Sequence, residues 1–334
     1  MVSGVQTEGG TSRVDASPAI LVESVEKSFG EVHALRGISF RVPAGSVLGV
    51  LGPNGAGKTT VVSVLSTLIR PDRGRAVVAG FDVVRDAERV RESIMLTGQY
   101  AALDEMLTGR ENLVLFARLM GMPGKAARQR ADELLEQFSL TEAADRRVGQ
   151  YSGGMRRRID IACGLVRTPK VVFLDEPTTG LDPVSRQSLW ALVRSLKEQG
   201  VTILLTTQYL EEADALSDNI IVVDRGAVIA QGTADELKAR SGSSFCEVVP
   251  VDAADVPTIA EALADLGTCV VAESGDRVAL PAPEGAATLA AALSRINDRN
   301  IELIDIALRR PSLDEVFIRL TGATDQPEPA GAGA

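Results

Sequence analysis

The sequence predicts an α/β protein, in which a parallel sheet covered by helices is followed by a smaller α+β domain. Apolar strand-like runs that alternate with helix-like segments predict the covered sheet. A glycine-rich loop lies between one of these strands and the helix after it, an arrangement suited to holding an anion. After about residue 241, segments in the order β, α, β, β, α, β predict the smaller domain.

Composition narrows the class of protein. The chain has 334 residues, enough for about two domains, and 35 Lys and Arg against 45 Asp and Glu give a net charge of −10. For the chain as a whole, that balance does not favour binding of nucleic acid, and local basic patches stay open. Cys163, Cys246 and Cys269 are odd in number, widely spaced and without a C-x-x-C pair, so the sequence predicts neither a disulfide framework nor a zinc site. We expect no secretory signal at the first residues, and no apolar run reaches the roughly 18 residues of a membrane span, so we expect another chain to do any spanning.

The first elements begin at about residue 20. The runs ILVESVEKSF and ISFRV are strand-like, and SVLGVLG at 46–52 predicts a buried strand that enters a loop. TTVVSVLSTLI at 59–69 predicts a helix, because its apolar residues fit a helical spacing and Pro71 follows.

A helical insertion is predicted over about 100–166, with Thr108 and Glu111 as a T-x-x-E capping box. Continuous apolar runs bounded by turns follow and predict further strands of a covered parallel sheet, at 171–175, 203–207 and 220–224.

The C-terminal segments predict a ferredoxin-like domain, since their order is that of a split βαββαβ unit. Ser312 starts another capping box, which predicts a last helix, and the final residues are typical of a disordered end. We therefore expect a disordered tail at 1–19, a main domain at 20–240, an accessory domain at 241–322 and a second tail at 323–334.

The strongest local motif is GPNGAGKT at 52–59, which fits G-x-x-x-x-G-K-[ST] between a predicted strand and a predicted helix. Its glycines let successive backbone N–H groups point into one concavity, and the helix N-terminus adds positive potential. Lys58 reaches β- and γ-phosphates, and the Thr59 hydroxyl can bind Mg²⁺. The motif therefore predicts a nucleoside triphosphate site.

Two more motifs concern chemistry. VVFLDE is an apolar strand that ends in Asp175, placed to serve Mg²⁺, and Glu176, placed to orient or deprotonate a water molecule. YSGGM puts Ser152 and two glycines before a helix, which fits an anion site and a simple N-cap turn equally well.

The phosphate loop, YSGGM and VVFLDEP follow the order and spacing of the ATP-binding cassette (ABC) ATPases, which the chain resembles over about 20–240. The resemblance implies a P-loop NTPase core with a helical subdomain, ATP and Mg²⁺ as cofactors, and hydrolysis of ATP to ADP and phosphate. It also implies a head-to-tail homodimer in which Ser152 and Gly154 of one cassette contact the γ-phosphate held by the other.

The resemblance also assigns roles to single residues. Phe29 is implied to stack on adenine, and Gln99 to link the helical insertion to the metal and water; by themselves, Phe29 fits a core position and Gln99 a solvated loop. The implied nucleotide-binding residues are Phe29, Gly52, Pro53, Asn54, Gly55, Ala56, Gly57, Lys58, Thr59, Thr60, Ser152, Gly153 and Gly154. The implied metal ligands are Thr59, Gln99 and Asp175, and the implied catalytic residues are Glu176, Lys58, Gln208 and Gln99.

Gln208 departs from the family, which usually has a histidine after the fourth strand. The single histidine, His33, stands near the start and is expected to be an ordinary surface residue. An amide can donate a hydrogen bond to the γ-phosphate but cannot carry a proton. Our hypothesis is that Gln208 positions the γ-phosphate and that Glu176 remains the water-orienting residue.

The runs TTQYLEEAD, YSGGMRRRIDIACGL and RRPSLDEVF together resemble exporter ATPases of the daunorubicin-resistance (DrrA) type, over nearly the whole chain. That resemblance implies a peripheral protein on the cytoplasmic face of the membrane, which drives efflux of hydrophobic antibiotics or complex lipids through a separate polytopic permease. No nucleic-acid partner is expected. Two alternatives stay open, a soluble ABC ATPase acting on ribosomes or nucleic acid and a non-hydrolysing nucleotide-sensing assembly protein.

Overall fold

The computed structural model describes residues 17–97, 103–240, 244–272 and 274–309, together with 313, 316 and 317. It forms two compact units, Met1–Gln208 with Val223–Val228 and Tyr209–Val222 with Ile229–Ala334. The predicted domain limits at 240 and 322 stay predictions. Most of the two predicted tails, Gln99 and the predicted helix start at Ser312 lie outside the described residues.

The strands and helices are as follows. The strands are β1 Ile20–Phe29, β2 Val32–Val42, β3 Val47–Leu51, β4 Arg73–Val78, β5 Phe81–Asp82, β6 Ile94–Thr97, β7 Val171–Asp175, β8 Thr202–Thr207, β9 Asn219–Asp224, β10 Ala227–Gly232, β11 Phe245–Pro250, β12 Val270–Val271, β13 Val278–Pro281 and β14 Leu303–Arg309. The helices are α1 Lys58–Leu65, α2 Ala87–Ser93, α3 Gly109–Leu119, α4 Gly124–Gln137, α5 Gly153–Gly164, α6 Pro183–Glu198, α7 Leu210–Leu216, α8 Ala234–Arg240, α9 Val256–Ala262 and α10 Ala286–Asp298.

Parallel pairing in the first unit runs in the order β3-β8-β7-β6. Every residue of β3, β7 and β8 is buried, which confirms the prediction of a sheet covered on both faces. Because these strands are parallel, their carboxyl ends meet at one edge, and there the phosphate loop, Asp175 and Thr206 come together. A mainly antiparallel sheet in the order β2-β1-β4-β5 completes the sheet structure of this unit.

Helix α1 is shorter than predicted. The sequence predicts a helix over 59–69, but α1 ends at Leu65 and Ser66 is its C-cap. Thr67 then takes a left-handed conformation with φ of 67°, and the amides of Leu68 and Ile69 both donate to the carbonyl of Ser63. This turn ends the helix before Pro71, so the proline is not its stop signal.

The predicted capping box is present at the start of α3. The Thr108 hydroxyl accepts from the Glu111 amide at 3.1 Å, and the Glu111 carboxylate accepts from the Thr108 amide at 2.8 Å. Both bonds satisfy N–H groups that a helix start leaves without an intrahelical partner.

The second unit contains the predicted order β11-α9-β12-β13-α10-β14. Its strands pair antiparallel in the order β12-β13-β11-β14, so the last strand lies beside the first. One face packs on the helices through a buried cluster that includes Cys246, Val248, Ile259 and Ile296. Within the part of the chain that the structure describes, none of the helices has the length and apolar character needed to cross a membrane.

Candidate functional site

The phosphate loop is a tight turn between β3 and α1, and two of its glycines have no room for a side chain. A Cβ at Gly52 would lie 2.3 Å from the carbonyl oxygen of Val223, and one at Gly57 would lie 2.6 Å from that of Ala34. Gly57 also has φ of 107°, which an L side chain rarely adopts, and it is the N-cap of α1. Close packing of the backbone thus requires glycine at both positions.

Lys58 crosses the loop and is 4% exposed. Its Nζ donates to the carbonyl oxygens of Gly52 at 2.8 Å and Pro53 at 3.1 Å. The same ammonium lies 3.2 Å from Oε1 of Glu176. A buried ammonium with these partners is fixed in place beside the loop, and its contact with β- and γ-phosphates stays a prediction.

Asp175 is the last residue of β7 and is buried. Its Oδ1 accepts from the Thr206 hydroxyl at 2.5 Å and from the Thr59 hydroxyl at 3.4 Å. A carboxylate and a hydroxyl this close are oxygen donors of the kind Mg²⁺ prefers, and Mg²⁺ usually takes one or two carboxylates besides water and phosphate. The donor set therefore fits Mg²⁺.

Glu176 leaves the strand direction immediately after Asp175. Its φ of 46° is left-handed, which is unfavourable for a non-glycine residue. Such strained backbone conformations cluster at functional sites. The Glu176 amide donates to the Thr206 hydroxyl at 3.0 Å, and the Thr179 hydroxyl lies 3.4 Å from the Glu176 carboxylate. The two adjacent carboxylates thus have different partners, which are Thr206 and Thr59 for Asp175, and Lys58 and Thr179 for Glu176.

A cleft of about 560 Å³ lies over the loop. The loop and Glu176 line it, together with five residues for which the sequence predicts no role in the site, Val32, His33, Ala34, Arg36 and Arg225. His33 is exposed, as expected, but it faces this cleft. Thr206 was missed as well; the signal for it was a hydroxyl at the end of an apolar strand, next in the sheet to Asp175.

Phe29 is 51% exposed at the end of β1, with Lys27 Nζ 5.6 Å from its ring centroid. It is therefore not a core residue, and stacking on adenine remains its predicted role. Gln208 directly follows β8 and is half-buried. Gln99 lies outside the described residues.

The YSGGM turn caps α5, where the Ser152 hydroxyl accepts from the Met155 amide at 3.3 Å. A Cβ at Gly154 would lie 2.2 Å from Oγ of Ser185, so only glycine lets the turn pack against α6. Residues 152–154 are not among those that line the cleft over the phosphate loop.

Asp182 caps α6, and hydrogen bonds from the hydroxyl and then the amide of Ser185 lower the pKa of its carboxyl. Its carboxylate therefore stays charged at neutral pH, next to the positive end of the helix dipole.

The comparisons with known proteins agree with this geometry. Residues 35–179 match the family model described as ABC transporter. The doxorubicin resistance ATP-binding protein DrrA of Mycobacterium tuberculosis is 58% identical over 309 residues, which are 91% of this chain and 93% of that protein.

Two solved structures resemble the chain in fold. CbiO1 from Clostridium perfringens, described as part of the ABC transporter complex cbiONQ, has a TM-score of 0.63 and 29% identity over 67% of this chain and 92% of that one. The dimeric post-hydrolysis structure of the cassette MJ0796 bound to ADP and Pi has a TM-score of 0.58 and 27% identity over 64% of this chain and 98% of that one. This chain therefore belongs to the ABC transporter ATP-binding proteins of the doxorubicin- and daunorubicin-resistance type, and it is an ATPase.

Proposed function

We propose that this chain energises the export of hydrophobic antibiotics of the doxorubicin and daunorubicin class, with complex lipids as the alternative cargo. The observation that carries the ATPase part is the buried Lys58–Glu176 contact of 3.2 Å beside the phosphate loop. The cargo class is supported by 58% identity to a doxorubicin resistance ATP-binding protein.

In the proposed mechanism, the loop amides and Lys58 bind the β- and γ-phosphates. Binding of the phosphates to Lys58 frees Glu176, which orients the attacking water and accepts its proton. Gln208 donates an amide hydrogen bond to the γ-phosphate. Asp175 and Thr59, together with Gln99 by the family resemblance, would hold Mg²⁺, which would neutralise charge on the phosphates.

The proposed active form is a head-to-tail homodimer in which Ser152, Gly153 and Gly154 of one cassette close on the nucleotide of the other. Two observations support it. Residues 152–154 do not line the cleft of their own chain, and the MJ0796 cassette, which is similar in fold, is a dimer with ADP and Pi. ATP binding closes the pair and hydrolysis reopens it.

The proposed partner is a separate polytopic permease, which the chain would contact at the cytoplasmic face of the membrane. Relatives named for drug resistance and a structural neighbour that is part of a transporter complex support this assignment. No nucleic-acid partner is proposed, in keeping with the net charge of −10.

The test is affinity purification of tagged Glu176→Gln protein from membranes of the native organism with ATP and Mg²⁺. We expect a polytopic membrane protein to copurify, and less of it with a Lys58→Ala variant, because ATP binding is needed for closure. Vesicles that contain the wild-type chain and the copurified membrane protein should accumulate doxorubicin when ATP is added. Copurification of ribosomal or DNA-bound proteins in place of a membrane protein would contradict the proposal.

A further inference from the structure

Three exposed polar side chains outside the known motifs line the nucleotide cleft. His33 and Arg36 are on β2, and Arg225 lies in the turn between β9 and β10. The Arg225 side chain is 86% exposed, and the nearest carboxylate that pairs with it, that of Asp224, is 3.9 Å away. We call these three residues the cleft rim. Exposed donors at the edge of a cleft that accepts a polyanion are placed to bind it.

The turn that carries Arg225 is fixed by the phosphate loop and β2. The Gly226 amide donates to the Ala56 carbonyl at 2.9 Å, and the Gly226 carbonyl accepts from the Arg36 amide at 2.8 Å. A Cβ at Gly226 would lie 2.6 Å from the carbonyl oxygen of Ala34, so the turn cannot move outward without losing this close packing.

Arg225 itself has a left-handed backbone, with φ of 45°. This conformation is unfavourable for a residue with a Cβ, and glycine would adopt it at no steric cost. The turn would therefore form at least as easily with glycine at this position, and its backbone does not require an arginine.

Strand β2 leads from the predicted adenine platform to the phosphate loop. In the register, Val32 pairs with Phe29 and His33 with Ser28, so His33 is next to the platform. The Ser28 hydroxyl contacts His33 Nδ1 at 2.8 Å, which leaves Nε2 to bind a ligand. Arg36, three residues further along β2, is bonded to the turn that contacts the loop.

We propose that the cleft rim binds the middle of the nucleotide, with Arg36 and Arg225 on the α-phosphate and His33 Nε2 on the ribose hydroxyls. The proposal rests on the proposed function, because it takes Phe29 as the platform for the base and Lys58 as the partner of the β- and γ-phosphates. The cleft rim would lie between Phe29, at the base, and Lys58, at the β- and γ-phosphates. It adds contacts that the phosphate-loop motif does not supply.

The test is calorimetric titration of the full chain with ATP and with ADP. Arg36→Ala and Arg225→Ala should each raise both dissociation constants by about 5-fold, the size of one partly exposed charge contact. ATP and ADP should lose affinity equally, because the contact is with a group that they share. The kcat at saturating ATP should stay within about 2-fold of the wild-type value, because the rim does not touch the reacting phosphate.

His33→Ala should raise the dissociation constant for ATP by about 3-fold. It should leave the affinity for 2′,3′-dideoxy-ATP unchanged, since that analogue lacks the ribose hydroxyls. Arg73→Ala is the matched control, because Arg73 is 80% exposed and is not among the residues that line the cleft. It should bind ATP like the wild-type chain, and melting by circular dichroism should show all variants folded.

Lys58→Ala separates the two proposals. If Lys58→Ala lowers the affinity for ATP while Arg36→Ala and Arg225→Ala bind ATP with wild-type affinity, the proposed role of the cleft rim is wrong. The proposed nucleotide site itself would then stand. If Lys58→Ala also binds ATP normally, the proposed nucleotide site itself is wrong. A loss confined to ATP, with ADP unaffected, would overturn the α-phosphate assignment.

Discussion

At the scale of single residues, the proposed chemistry depends on one hydroxyl that holds two carboxylate-bearing residues. Thr206 donates to Asp175 at 2.5 Å and accepts from the Glu176 amide at 3.0 Å. It therefore orients the proposed metal ligand and the turn that carries the proposed base. Thr206 is not among the residues that line the cleft over the phosphate loop, so we assign it a positioning role.

Thr206→Val should lower kcat for ATP hydrolysis by about 10-fold, since a buried charge-assisted hydrogen bond contributes about 1.5–3 kcal/mol. It should also raise the Mg²⁺ concentration needed for half-maximal rate. Thr202→Val is the matched control, because its hydroxyl accepts from the Gly45 amide at 2.9 Å near the other end of β8. Equal loss of activity in both variants would show that Thr206 only stabilises the strand.

Gln208 is the second residue-scale test. Gln208→Ala should lower kcat by about 10-fold with little change in the dissociation constant for ATP, because the amide is assigned to the transferred phosphate. Gln208→His should retain activity and make kcat depend on pH near the usual imidazole range. Hydrolysis by Gln208→Ala at the wild-type rate would show that the amide has no part in the reaction.

At the scale of elements, the loop geometry depends on close backbone approach. Gly52→Ala should abolish ADP binding and lower the melting temperature, because the new Cβ meets the Val223 carbonyl oxygen at 2.3 Å. Gly124→Ala is the control, since its Cβ would meet only Arg118 Nη1, at 3.9 Å. Normal ADP titration and melting of Gly52→Ala would mean that the loop is not packed as described.

The elements also show what a sequence can predict. The strand that ends at Asp175, the Thr108 capping box and the βαββαβ order are local patterns, and the structure has them all. The predicted end of α1 was wrong, because the helix ends at a turn in which Thr67 is left-handed. Threonine as a residue type does not predict that conformation.

Residues of the site that come from distant parts of the chain were harder to predict. Arg225 reaches the cleft because its turn bonds to Ala56, a contact across the fold that no spacing reveals. The contact of Thr206 with Asp175 arises in the same way, since it depends on the pairing of β7 with β8.

At the scale of the whole molecule, the accessory domain can be probed through its thiols. Burial raises the pKa of Cys246 to about 11, and the nearby Cys269 adds to the shift. At pH 8, well below that value, Cys246 is protonated, so iodoacetamide should label it far more slowly than a free thiol. Mass spectrometry should find the partly exposed Cys269 labelled first, and urea should make the rates equal; fast labelling of native Cys246 would contradict the buried core.

The proposed transport cycle requires two cassettes to close on ATP. Neutralising Glu176 removes the proposed base and leaves Lys58 and the loop amides to bind the phosphates, so the closed pair should accumulate. The double variant Lys58→Ala/Glu176→Gln lacks the proposed phosphate ligand and should stay open. Head-to-tail closure therefore predicts opposite outcomes for the two proteins under identical conditions.

Light scattering of Glu176→Gln with ATP and Mg²⁺ tests this claim most directly. The account predicts a dimer that appears with ATP, is absent with ADP, and does not form in the double variant. A monomeric Glu176→Gln protein with ATP bound would contradict the head-to-tail closure on which the proposed export mechanism depends.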